Sequence, residues 1–85
     1  MTTEDTHYKT SDTTLASFLV TDGFPLLSID YSQPRFEFIF NDSEKLRGVA
    51  NNYITGNALT DPSAFSRVNK KLLRVIRKQI QWEED

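Results

Sequence analysis

Apolar residues in this chain recur first at helical spacing, then at every second position, then at helical spacing again, and each change of period marks an element. Ser11 or Asp12 stands ahead of Leu15, Phe18 and Leu19, whose spacing of three and four predicts a short capped helix. Gly23 is its expected stop, since glycine reaches the left-handed conformation that closes a helix and lets Phe24 fold back on the last turn. Between Pro25 and Asn41 the period becomes two: Leu27, Ile29 and Tyr31 alternate with Ser28, Asp30 and Ser32, and Phe36, Phe38 and Phe40 follow after Gln33-Pro34. That pattern predicts a β-hairpin. Facing Ile29 with Phe38 and Leu27 with Phe40, across a loop of Ser32 to Arg35, puts the large residues on one face and leaves Asp30 opposite Glu37 on the other.

The helical period then returns twice. The segment Asn41-Asp42-Ser43-Glu44 supplies a helix start, and Leu46, Val49, Ala50, Tyr53 and Ile54 form the stripe of a second helix that Gly56 should end. Asp61-Pro62 pairs a capping carboxylate with a proline at the first helical position, opening a third helix with Phe65, Val68, Leu72, Val75, Ile76, Gln79 and Ile80 on one side. Tyr8-Lys9-Thr10 can add a short N-terminal edge strand. An isolated hairpin is marginal in water, so helices must cover its apolar face. The expected fold is a small single α+β domain, a β-hairpin with an optional third strand packed against three helices, in the order (β)-α-β-β-α-α. Its expected limits are a disordered polar tail over residues 1–7, the domain over 8–82 and an acidic tail over 83–85.

At 85 residues, one thin core is all the chain can bury. Cysteine is absent, which removes disulfides and thiolate chemistry and suits a reducing compartment. No basic segment followed by an apolar run opens the sequence and no long apolar stretch occurs, so the expected setting is the cytoplasm, with no membrane contact. Charge is divided unevenly. Residues 62–82 hold Arg67, Lys70, Lys71, Arg74, Arg77 and Lys78 without one acid, whereas the rest has four cations against all twelve acids, so +6 and −8 make up the net charge of −2.

No set of positioned acids, bases, nucleophiles or metal ligands stands out, so no enzyme, cofactor or metal is expected. His7 is the only histidine, and Asp12, Asp42 and Asp61 lie where helices begin and read as caps. Gly23, Gly48 and Gly56 lack the spacing of a phosphate cradle. The six cations of the third helix lie within an arc of about 120° at 100° per residue. They suit a solvated outer face, a phosphate-binding face, or a face for an acidic protein surface. Leu26 and Ile39 should point away from the phenylalanine face, and Trp82 lies beyond the helical stripe, so these three are the candidate protein interface. The function expected first is a non-enzymatic protein-interaction module, with a homodimer among its forms; the alternative is a nucleic-acid-binding accessory protein that uses the basic helix face.

Lys9-Thr10-Ser11-Asp12 with Leu15-Ala16, then Gly23-Phe24, Phe38-Ile39-Phe40, and Gly56-Asn57-Ala58-Leu59-Thr60-Asp61-Pro62 resemble a family of short uncharacterised bacterial and phage proteins, a domain of unknown function. The likeness spans roughly residues 8 to 80 and rests on helix starts, helix stops and core positions. It implies a shared compact fold and no catalytic residues. Ser32-Gln33-Pro34 departs from the Asp-Gly type of turn expected for the hairpin.

Overall fold

A computed structural model describes residues 6–83 and has the element order β1 (His7–Thr10), α1 (Thr13–Thr21), β2 (Leu26–Asp30), β3 (Glu37–Asn41), α2 (Glu44–Ile54) and α3 (Pro62–Lys78). The three strands form one antiparallel sheet in the order β1-β3-β2, so the third strand is present and β3 is central. β1 begins at His7, and Asp42 N–H donates to the Thr6 carbonyl at 2.7 Å. The rest of the expected N-terminal tail, residues 1–5, lies outside the described residues, as do 84 and 85 of the acidic tail.

The helices start and stop for local reasons. Asp12 caps α1: its Oδ1 accepts the N–H groups of Thr14 and Leu15 at 3.0 and 3.2 Å and the Thr14 hydroxyl at 2.7 Å. These bonds, led by the Thr14 hydroxyl, hold its carboxyl below the usual range. For α2 the expected carboxylate cap is replaced by Ser43, whose Oγ accepts from Leu46 N–H at 3.0 Å. Asp42 is turned instead toward Arg47, with Nε 3.1 Å from Oδ1. Gly23 and Gly56, with φ of 102° and 82°, close α1 and α2 by paired backbone bonds that reach back to the last turn.

Helices cover one face of the sheet. Leu15, Ala16, Phe18 and Leu19 of α1, Ile29, Phe38 and Phe40 of the sheet, Leu46 and Ala50 of α2, and Leu72 and Val75 of α3 make the core. Phe38 and Phe40 are wholly buried. α1 packs against both other helices. Its buried Ser17 Oγ lies 2.9 Å from both the Thr13 carbonyl and Asn69 Oδ1, a polar contact that keys the rotation of α3.

The hairpin departs from the expected pairing at one end. Ile29 faces Phe38 and Asp30 faces Glu37 as expected, but Phe40 faces Leu26, because a bulge interrupts the ladder between Leu26 and Ser28. Leu26, expected to point outward as an interface residue, is buried at 6% exposure, and Leu27, expected in the core, is 43% exposed. Parity explains the correction. Phe24 packs on the core, so alternation places Pro25 outside and Leu26 inside. Ile29 is also inside, and a spacing of three between two inward residues requires one extra residue.

The Asp30–Glu37 pair is tolerated because Asp30 is occupied locally. Its carboxylate accepts Ser32 N–H at 2.8 Å and the Ser32 hydroxyl, an Asx turn that leads into the loop. Those bonds, with a smaller pull from Lys9, keep its carboxyl below the usual range.

Candidate functional site

α3 is the element that carries concentrated charge. Asp61 Oδ1 accepts Ser63 N–H at 3.0 Å, Pro62 stands in the first turn, and Arg77 and Lys78 in the last turn complement the carbonyl end of the helix. The helix has 17 residues, about 25 Å at 1.5 Å per residue. Leu72 and Val75 enter the core and Asn69 meets Ser17, which turns Arg67, Lys70, Arg74, Arg77 and Lys78 to solvent. From Arg67 to Lys78 they run about 16 Å along the axis. None of the five forms an ion pair among the described residues, and α3 contains no acid. A shallow cleft lined by Pro62, Ser63, Ser66, Arg67 and Lys70 lies at the N-terminal end of this face.

Lys71, expected as the sixth member, is placed differently. It is half-buried, its Nζ donates to the Glu83 carbonyl at 2.7 Å, and the ammonium lies 4.4 Å from the centre of the Trp82 ring. The expected helical stripe also ends early. Gln79 takes φ 55° and ψ 45°, and its N–H and that of Ile80 return to the carbonyls of Ile76 and Val75 at 3.0 and 3.1 Å. The chain therefore reverses at Gln79, and Ile80 is half exposed.

Of the three residues expected to form a protein interface, Leu26 is internal, and Trp82 is half-buried and packed against the core. Ile39 stands on the outer face of the sheet, half-buried, between Lys9 of β1 and Ser28 of β2. The structure does not bring the three together as an exposed patch. Two large apolar residues are exposed around the α2–α3 connection: Ile54, expected on the stripe of the second helix, at 67%, and Leu59, which the sequence did not single out, at 93%. Their position at the end of a stripe and in a loop carried no signal.

Two tyrosines have phenols raised above their usual range. For Tyr8 the cause is burial first, then the charges of Asp42 and Asp12. For Tyr31 it is burial; its hydroxyl donates to the Ile80 carbonyl at 2.6 Å and lies 3.3 Å from that of Val75. Among the described residues no group of three or more His, Asp or Glu side chains is placed to hold a metal ion, and no helix is long and apolar enough to cross a membrane.

No curated protein and no solved structure matches the chain. A family model matches residues 5–80, which include every described element. The chain belongs to the family described as a domain of unknown function, DUF5659.

Proposed function

We propose that the domain is a non-enzymatic binding module that holds the phosphate backbone of nucleic acid on the basic face of α3. One observation carries the reading: Arg67, Lys70, Arg74, Arg77 and Lys78 are exposed on one face of an acid-free helix, and none is ion-paired among the described residues. Surface cations that serve only solubility are usually interspersed with acids. Here Asp30 and Glu37 lie on the outer face of the sheet, the layer opposite α3, so a strand approaching the helix does not meet their charge directly. With Leu26 inside and Trp82 against the core, the protein-interaction reading loses two of its three carriers.

Phosphate binding of this kind releases counterions and weakens steeply with salt. Titration of labelled single-stranded DNA and RNA into the protein at low and moderate salt is the test. Binding should appear at low salt, with a log–log slope of roughly −3 to −4 if all five cations engage a single strand. It should be lost in the triple variant Arg67→Glu, Arg74→Glu, Lys78→Glu. Absence of binding to either polymer in low salt contradicts the reading.

A further inference from the structure

The chain does not leave the domain at Lys78. After the reversal at Gln79, residues 80–83 run back as a strap beside β2, an edge strand of the sheet. Three anchors hold it. The Gln81 side chain pairs with the backbone of Ile29 at two points, Ile29 N–H donating to Oε1 at 2.7 Å and Nε2 donating to the Ile29 carbonyl at 2.8 Å. An amide used in this way stands in for the strand that an open edge would otherwise recruit. The Tyr31 hydroxyl donates to the Ile80 carbonyl, and Lys71 reaches the Glu83 carbonyl and the Trp82 ring.

Lys71 belongs to two surfaces. On the helix it lies one turn after Arg67 and one turn before Arg74, at the margin of the cationic arc, yet its ammonium is turned to the strap. We propose that the strap is a latch on the basic face, in which the docked segment withholds Lys71 from an anionic partner and the partner, once bound, draws Lys71 away and loosens the strap. The inference rests on the phosphate-binding reading above. Since one ammonium cannot serve both, strap docking and polyanion binding oppose each other, and by linkage each weakens the other by the same factor.

Trp82 is the only tryptophan in the sequence, so its emission reports the state of the strap without a label. The test titrates a single-stranded oligonucleotide, in low salt, into the wild type and into two variants that loosen different anchors, Gln81→Leu and Tyr31→Phe. Circular dichroism verifies that each is folded. Trp82 emission of the wild type should shift as the oligonucleotide saturates. Tyr31→Phe should bind roughly three- to tenfold more tightly, the worth of one net hydrogen bond, and Gln81→Leu, which loses two, at least as much. Adding Lys71→Ala to either variant should erase that gain, a result that mere loosening of the fold does not produce. Unchanged Trp82 emission at saturation together with wild-type affinity in both variants overturns the latch and leaves the basic face standing. Failure of the wild type and of every variant to bind overturns the phosphate-binding reading itself, and the latch with it.

Discussion

Taking a leucine side chain out of water is worth about 2 to 3 kcal/mol, and in the sequence Leu26-Leu27 only one of two adjacent leucines receives it. Leu26 faces Phe40 across the ladder, whereas Leu27 sits at the bulge with 43% of its surface exposed. Leu26→Ala should therefore cost about 2 to 4 kcal/mol of unfolding free energy and Leu27→Ala less than about 1 kcal/mol. Urea denaturation of the two variants distinguishes them, and equal costs would contradict the bulge. Counting alternation back from Ile29 points to Leu27, and counting forward from Phe24 points to Leu26. Both counts use the same rule, so the sequence could not choose; the extra residue in the ladder does. The same limit applies at Asp42, where a carboxylate next to a helix start looked like a cap while the neighbouring Ser43 took that place.

At the scale of elements, the starts of α1 and α3 and the stops of α1 and α2 were legible because Asp12, Asp61, Gly23 and Gly56 each have a local backbone function. The end of α3 was not. Ile80 continues the apolar spacing, and Gln79 is a non-glycine residue in the left-handed region, so no sequence signal marks the reversal. The strap that follows depends on the Tyr31–Ile80 and Ile29–Gln81 pairings, 49 and 52 residues apart in the chain, which periodicity cannot reach. Its dependence on Tyr31 makes it sensitive to alkali. Because the folded phenol titrates above its ordinary value of about 10, its stabilising contribution is complete below that value and is lost as the pH rises through the higher folded value. Tyr8, raised in the same direction, adds to the loss in that window. Above about pH 10 the emission of Trp82 should change as the Tyr31 hydroxyl ceases to donate to the Ile80 carbonyl. In Tyr31→Phe that step should be absent below the global unfolding transition. Emission that is flat until the whole fold is lost would place the strap's hold elsewhere.

The whole molecule is an antiparallel sheet with helices on one face, and its charge is segregated as well as its polarity. The segment that carries +6 is α3 and the chain after it as far as Trp82, while −8 is spread over the rest of the sequence, so a protein of net charge −2 presents a cationic ridge. Such segregation orients encounters with polyanions and makes association dependent on salt even when net charge is negative. The element order, the phenylalanine core and the cationic arc were all readable from spacing, because each is a periodic property of one element. The membership of the site was readable only in part: Arg67, Lys70, Arg74, Arg77 and Lys78 face outward as the period requires, whereas Lys71 is claimed by Glu83 and Trp82 through contacts that spacing does not encode. Mapping of backbone amide signals by NMR during titration with a single-stranded oligonucleotide in low salt locates the binding face residue by residue. A site on the basic helix gives the largest changes along residues 67–78 of α3, with smaller ones in the strap; changes centred instead on His7, Lys9 and Ile39 of the outer sheet face would contradict such a site.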